Sequence, residues 1–442
     1  MGQRSGKERY RISIIGAGHV GLVTGACFAE IGHQVLCVDN DKEKLASLRK
    51  GKCPFYEPGL AHLVRKHVKS RRLSFSDSIR EGVERSGVIF IAVGTPSRPN
   101  GEADLSYVEA VAREIARSMT SYRLIVEKST VPVETGEWVR RAVQQSHRGK
   151  IPFDVASNPE FLREGQAIED FMHPDRIVLG VESKRAEKIL IEIYRRIKAP
   201  VVVTDIKSAE MIKHASNSFL SLKISFINAI AALSEKVGAD VVKIAEGMGL
   251  DRRIGKSFLN AGVGFGGSCF AKDLSAFVRI GEKAGVNFQL LKEVQQINHN
   301  QRQRLVHMVE QAVWNLKGKT IGILGLAFKP ETDDLRDAPS VDIIQALQKE
   351  GAAVKATDPA AVGNAKKLLS NVTFCKDPYE TARHADCLVI LTEWPEYRSL
   401  HLKRLKSLLS HPIIVDGRNL YDPVKMRKAG FRYFSIGRPS SS

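Results

Sequence analysis

The stretch Ile12-Ser13-Ile14-Ile15-Gly16-Ala17-Gly18-His19-Val20-Gly21 decides the fold. An apolar run over Arg11–Ile15 reads as a buried strand, meets a G-x-G-x-x-G turn, and gives way to helical spacing over Leu22–Ile31. This is the strand–turn–helix context in which that motif has mechanical meaning. Gly16 allows the tight turn, Gly18 lets a pyrophosphate close on the helix N-terminus, and Gly21 lets the helix pack on the sheet. With Val20 they form the expected cofactor turn. Asp39 ends the next apolar run, Gln34–Asp39, 18 residues after Gly21. A carboxylate there accepts hydrogen bonds from the adenosine ribose hydroxyls and repels a 2′-phosphate. Asn40 and Asp41 follow with no immediate arginine, so the expected cofactor is NAD rather than NADP.

Outward from this turn, further apolar runs over Val88–Val93, Leu124–Glu127 and Phe153–Ala156 alternate with amphipathic stretches. That alternation marks a parallel sheet with crossover helices. Ligands of open α/β sheets bind beyond the carboxyl ends of strands. The turns Val93-Gly94-Thr95-Pro96 and Glu127-Lys128-Ser129-Thr130-Val131-Pro132 lie at such ends, which aims Thr95 and Thr130 at the cofactor. A strand pair, Ile177–Gly180 and Val201–Thr204, flanks a helix over Lys184–Ile197. From Asp205 the pattern changes: Ile206–Val237 has helical spacing without internal Gly or Pro, roughly 48 Å of helix. A second long helix is expected over Phe288–Leu316. Strand and helix signals then resume at Thr320–Gly325, Ser340–Glu350, Ala353–Thr357, Cys387–Thr392 and Ile413–Asp416. The expected fold is α/β, with two Rossmann-like doubly wound lobes joined by a helical central domain with a long spine helix. The expected boundaries are 1–204, 205–317 and 318–442.

A chain of 442 residues is too long for one core. Its 67 basic and 49 acidic residues leave a net charge of +18, which favours anionic ligands. The charges are scattered, with no basic stripe interleaved with aromatics, so a phosphate-bearing small molecule is expected and nucleic acid is not. The six cysteines form no C-x-x-C pair and no Cys/His set with zinc spacing, so no metal is expected and the thiols read as reduced, cytoplasmic ones. Met1 to Arg11 is polar and lacks the apolar segment of a signal peptide. The most apolar stretch, Phe219 to Leu233, is interrupted by Lys223 and short for a bilayer, so no membrane association is expected.

One cysteine stands apart. Gly264-Phe265-Gly266-Gly267-Ser268-Cys269-Phe270-Ala271-Lys272-Asp273 puts a thiol between a glycine loop and a polar helix start. Unpaired N–H groups and the positive end of the helix dipole favour thiolate there. By itself the loop is also compatible with a buried small hydrophobe. Asn158-Pro159-Glu160-Phe161-Leu162-Arg163-Glu164-Gly165 follows another strand end, where a site role competes with a plain polar turn. On the long helix, Lys213 and Asn217 are four apart and share a face. They read as a solvated stripe or, more sharply, as donors aimed at an oxygen that becomes negative.

Together these motifs, with Arg253-Ile254-Gly255, Phe258 to Asp273 and Gly325-Leu326-Ala327-Phe328-Lys329-Pro330, occur in an order that resembles the UDP-glucose/GDP-mannose dehydrogenase family, and within it the UDP-glucose 6-dehydrogenases. The resemblance spans nearly all of residues 9 to 436 and is most specific over Phe258 to Asp273. It implies NAD-dependent oxidation of UDP-glucose at C6 to UDP-glucuronate, in two steps, through a thiohemiacetal and a thioester on Cys269. It further implies that Lys213 and Asn217 stabilise the alkoxide, that Glu160 or a water relays the proton, and that Asp273 with Thr130 handles the hydrolytic water. Glu160, Lys213 and Asn217 also contact the substrate, with Phe161, Leu162, Arg163, Phe258, Leu259, Asn260 and Gly266 along the sugar nucleotide. Lys329 and Arg418 meet the uridine or its phosphates. Lys44, Glu164, Lys272 and Arg336 join the NAD set. Arg253 reaches the sugar from a second subunit, which implies a homodimer. Ala271, His214 and Ala229 depart from the family pattern, where proline, tyrosine and glutamate are usual. A GDP-mannose or other nucleotide-sugar 6-dehydrogenase is the alternative within enzymes, and a non-catalytic nucleotide-sugar sensor the alternative outside them.

Overall fold

The computed structural model describes residues 9–146 and 151–439. Most of the polar segment read as lacking a signal peptide, and the final residues 440–442, lie outside the described residues. The chain divides into two compact units, Met1–Ser216 with Ser275–Ile280, and Asn217–Leu274 with Gly281–Ser442.

The first unit holds eight strands: β1 (Arg11–Ile15), β2 (Gln34–Val38), β3 (Leu73–Ser76), β4 (Val88–Ile91), β5 (Arg123–Glu127), β6 (Phe153–Ser157), β7 (Ile177–Gly180) and β8 (Val201–Thr204). Their order is β3-β2-β1-β4-β5-β6-β7-β8. All neighbours are parallel except β6 and β7, which meet antiparallel at Ser157 opposite Gly180. Successive strand residues face opposite sides. Ile12, Ile14, Val35 and Cys37 pack with Leu22 and Phe28 on one side. Ile15, Leu36, Val38, Ile89 and Ile91 pack with Val108, Ala112 and Ile115 on the other. Both faces are buried, which is why these strands read as continuous apolar runs.

The second unit holds β9 (Thr320–Leu324), β10 (Ala353–Thr357), β11 (Val372–Phe374), β12 (Cys387–Ile390), β13 (Ile413–Asp416) and β14 (Arg432–Ser435), all parallel, in the order β11-β10-β9-β12-β13-β14. Ile321 and Ile323 face Ile343, Ile344 and Leu347 of the helix Pro339–Lys349. Leu324, Leu388 and Ile390 face Trp394 and Tyr397. In each sheet the first strand in the chain lies between the second and a later one, β1 between β2 and β4, β9 between β10 and β12. This reversal opens a crevice at the carboxyl ends of the strands. The α/β architecture with two such sheets and a long helix is as expected.

Three strands were not visible in the pattern: β3, β11 and β14. All three are sheet edges. Leu-Ser-Phe-Ser and Arg-Tyr-Phe-Ser mix apolar with polar residues and so lack the unbroken apolar run of an interior strand. The first helix begins at His19 rather than Leu22, because Leu22 N already donates to Gly18 O at 2.9 Å. The long helix runs over Ile206–Val237 as read, and the second over Gln289–Val313.

By length and composition the helix Ile206–Val237 is apolar enough to cross a membrane, which the shorter window Phe219–Leu233 did not suggest. Two of its polar side chains, however, are buried and bonded to protein. Ser225 Oγ donates to Val294 O at 2.9 Å, and Asn228 Oδ1 accepts from Gly262 N at 2.8 Å. Side chains so placed mark the core helix of a packed fold.

The glycine turn is sterically closed. A Cβ on Gly21 would lie 1.9 Å from Gly16 O, and one on Gly16, at φ +104°, 2.5 Å from Ala92 O. Gly21→Ala is expected to lower stability by about 2–3 kcal/mol. An unchanged urea midpoint would show that the turn relaxes without strain.

Candidate functional site

In the first unit the turn after β1 leaves an open cradle. A Cβ at Gly18 would meet nothing within 4 Å, unlike those at Gly16 and Gly21. No side chain caps the helix His19–Glu30 at Gly18. Its first N–H groups therefore face space that suits a pyrophosphate. Asp39, just beyond β2, accepts from Ala17 N at 2.8 Å and Asp41 N at 3.0 Å. Lys44 Nζ lies 3.0 Å from Asp39 Oδ2. Burial opposes ionisation of Asp39, but these donors outweigh it and hold the carboxyl below its ordinary range. An anionic acceptor fixed beside a phosphate-sized cradle fits the adenosine half of NAD. Thr95, past the end of β4, donates from Oγ1 to Thr130 O at 2.9 Å, tying together the two strand-end loops read as cofactor-facing.

Glu57, which no pattern flagged, organises the neighbouring loop. It is buried, accepts from Gly165 N at 2.6 Å and Ala167 N at 2.8 Å, and sits 3.0 Å from His19 Nε2. Glu164 is therefore held on a fixed loop. Arg163 points to Asp170, with 2.6 Å between Nη2 and Oδ1. Phe161 lies under the Arg176 guanidinium, 3.6 Å from the ring centroid.

Next to this loop is a buried ion pair. Glu160 Oε1 is 3.1 Å from Lys213 Nζ, and the two side chains are 4% and 5% exposed. Glu160 Oε2 also accepts from Leu162 N at 2.6 Å. An anion and a cation so desolvated interact far more strongly than a surface pair. Lys128 and Asn158, within motifs quoted from the sequence but given no role there, are buried behind the pair. His214, one of the departures, places Nε2 2.7 Å from Val131 O and stacks on Phe277 at 5.6 Å.

In the second unit the glycine loop is fixed by close approach. A Cβ on Gly266 would lie 2.4 Å from Asp337 O, and Gly267 N donates to Arg336 O at 3.0 Å. Cys269 follows, partly exposed, and directly precedes the helix Phe270–Lys283. Asp273 N donates back to Cys269 O at 2.8 Å, closing the first turn. Asp273 is fully buried, accepts from Asn217 Nδ2 at 2.6 Å and lies 2.9 Å from Lys272 Nζ. Burial pushes up the thiols of Cys27, Cys37, Cys375 and Cys387, Cys37 to about 12, which leaves them unreactive at neutral pH. The departures are mild: Ala271 sits in the helix's first turn and Ala229 is exposed.

Phe258 has φ +65° and its ring lies 6.2 Å from that of Phe270, tilted by 54°, while Leu259 is buried and Asn260 exposed. Arg418 crosses the end of β12, donating to Leu391 O at 2.8 Å and Phe328 O at 3.1 Å. Lys329 lies 5.9 Å from the Phe328 ring. Arg253 is exposed and paired with Asp251 at 2.6 Å, and Arg336 is paired with Asp334 at 2.7 Å.

Sequence comparison agrees with this chemistry. Family models of the UDP-glucose/GDP-mannose dehydrogenases match in sequence order: the NAD binding domain over residues 10–198, the central domain over 207–300 and the UDP binding domain over 322–423. UDP-glucose 6-dehydrogenase TuaD of Bacillus subtilis is 50% identical over 431 residues, covering 97% of this chain and 94% of the relative. UDP-glucose 6-dehydrogenase of Rhizobium meliloti is 49% identical, covering 97% and 100%. The structure of a UDP-glucose dehydrogenase from Pyrobaculum islandicum superposes with a TM-score of 0.92 at 41% identity, covering 98% of this chain and 99% of that one. A nucleotide-cradling first sheet, a second parallel sheet and a cysteine at a helix start thus have full-length counterparts, and this chain belongs to the UDP-glucose/GDP-mannose dehydrogenase family.

Proposed function

We propose that this chain is an NAD-dependent UDP-glucose 6-dehydrogenase that oxidises C6 of UDP-glucose to the carboxylate of UDP-glucuronate. One observation carries the reading: Cys269 is partly exposed at a helix start, and one turn on, buried Asp273 is held by Asn217. A simple alcohol dehydrogenase needs no such thiol. An enzyme that carries an alcohol to an acid does, because an aldehyde has no hydride to give until a nucleophile adds to it.

Bound NAD supplies the hydride acceptor, once for each oxidation. Gly16, Gly18, Val20, Gly21 and Asp39 hold it, with Lys44, Thr95, Glu164, Lys272 and Arg336 assigned to the same task. In the first oxidation Glu160, directly or through a water, takes the C6 hydroxyl proton. The Lys213 ammonium and the Asn217 amide stabilise the alkoxide. The Cys269 thiolate then adds to the aldehyde carbon, forming a C–S bond, and the oxygen is protonated. Loss of the second hydride and of that proton leaves a thioester. Water positioned by Asp273 and Thr130 attacks the thioester, the C–S bond breaks, and the thiolate returns as the acid departs.

Phe161, Leu162, Arg163, Phe258, Leu259, Asn260 and Gly266 are assigned to the sugar nucleotide, and Lys329 and Arg418 to its uridine end. We assign residues 1–204 to NAD, 205–317 to the central domain and 318–442 to UDP. A homodimer, with Arg253 donated between subunits, is supported by the apolar stripe Phe219, Phe226, Leu233 and Val237 on the long helix, 45–67% exposed and mostly seven residues apart. Six free thiols support a reducing, cytoplasmic setting.

The test is to mix the protein with NAD and a panel of UDP- and GDP-sugars and count NADH per sugar. Two NADH per UDP-glucose are expected. A single NADH, or preference for GDP-mannose, overturns the reading. Asp39→Ala is expected to raise the NAD KM about tenfold or more and to relax rejection of NADP. An unchanged cofactor preference would show that Asp39 does not meet the ribose.

A further inference from the structure

Lys128 follows β5 directly and is only 4% exposed. Burying an ammonium costs several kcal/mol unless partners compensate. Its Nζ donates to Asn158 Oδ1 at 3.1 Å and lies 3.5 Å from Tyr194 Oη, both neutral groups. Among the described residues, no carboxylate lies within ion-pair distance of it. The charge is therefore retained in a core position without a direct counter-ion.

Its partners lead to the Glu160–Lys213 pair. Asn158 is fixed at both side-chain polar atoms and at its backbone N–H. Tyr194 Oη donates to the same Oδ1 at 2.6 Å, Asn158 Nδ2 donates to Val178 O at 2.9 Å, and Asn158 N donates to Glu127 O at 2.8 Å. Asn158 stands two residues before Glu160. The ionised groups acting on Lys128 through space are Glu160, which favours its charge, and Lys213, which opposes it. Glu127 is its chain neighbour on β5, and Cys27 acts on Tyr194 from the helix His19–Glu30.

We propose that Lys128 is a positioning residue of the oxidation: through Asn158 it fixes the backbone that presents Glu160, and its charge favours the Glu160 anion while disfavouring extra proton affinity at Lys213. This rests on the roles proposed above for Glu160 and Lys213. Burial lowers the Lys128 ammonium to about 8, so its charge is present at neutral pH and withdrawn as the medium becomes alkaline.

The test follows kcat and KM for UDP-glucose against pH in Lys128→Met and Lys128→Arg. In Lys128→Met the acid limb of the profile is expected to move up by about one pH unit, with kcat at neutral pH down about tenfold and KM little changed. Lys128→Arg is expected to return the limb. An unmoved limb in a Lys128→Met enzyme that melts like wild type overturns the proposal while leaving the dehydrogenase reading intact. A wild type without UDP-glucose oxidation sinks both. Should Lys128→Met not fold, ¹³Cε-lysine NMR of the wild type decides. One lysine titrating near pH 8 is expected, and spectra in which every lysine titrates above about pH 9.5 overturn the proposal.

Discussion

Cys269→Ser is expected to abolish formation of UDP-glucuronate, by at least about 10³-fold, while UDP-glucose and NAD still bind. The serine hydroxyl keeps the size and position of the thiol but not its acidity. At neutral pH it supplies almost no anion to add to an aldehyde, and any hemiacetal it forms leads to an ester that hydrolyses more slowly. Oxidation should therefore stall after one hydride. The measurement is product analysis after a single turnover: one NADH per site without acid is the expected result. Two NADH with acid released at the wild-type rate would mean that no sulfur–carbon bond is needed. The half-exposed position of Cys269, beside a helix start closed by Asp273 N, is what makes the substitution decisive. The deeply buried thiols Cys27, Cys37, Cys375 and Cys387 have no comparable access.

Lys213→Met is expected to lower kcat about 10²- to 10³-fold, the usual loss when one charged stabiliser of an oxyanion is removed. Methionine nearly preserves the volume, so the packing around the long helix is kept. The buried Glu160 loses the cation 3.1 Å away and becomes a desolvated carboxylate with Leu162 N as its remaining short donor. Such a carboxyl holds its proton more tightly, so the acid limb of the pH profile should shift upward together with the fall in kcat. A variant that keeps both kcat and the limb would remove Lys213 from the chemistry. A variant that loses only affinity, with kcat intact, would make it a binding residue.

Much of this was legible beforehand because the signals are local. The Gly16–Gly21 turn is dictated by space: two of its three glycines have no room for a Cβ, and the third leaves the cradle open. Interior strands such as β4 and β12 are apolar on both faces and declare themselves as unbroken runs. Asp39, Thr95 and Thr130 could be singled out from the sequence because they stand at strand ends, where such folds place ligands. The pairing of Lys213 with Glu160 was not legible, because the two are 53 residues apart in sequence (213 − 160) and neither stands in a pattern that names the other. Glu57 was missed for the same reason: its partners Gly165 and Ala167 are backbone donors more than a hundred residues away, and a donor N–H leaves no trace in residue type. The edge strands β3, β11 and β14 were not legible because polar residues interrupt their short apolar runs.

The sequence alone determined the class of fold, the glycine turn, the acidic residue beyond the second strand and the cysteine loop, since each depends on near neighbours and on the size or charge of a few side chains. Tertiary structure alone decided which distant groups share a charge. It set Glu160 against Lys213, bound Asn217 to Asp273, and left Lys128 as an ammonium in the core with only neutral ligands. The reason is physical: composition fixes how many charges a chain carries, but burial and separation fix what each one is worth.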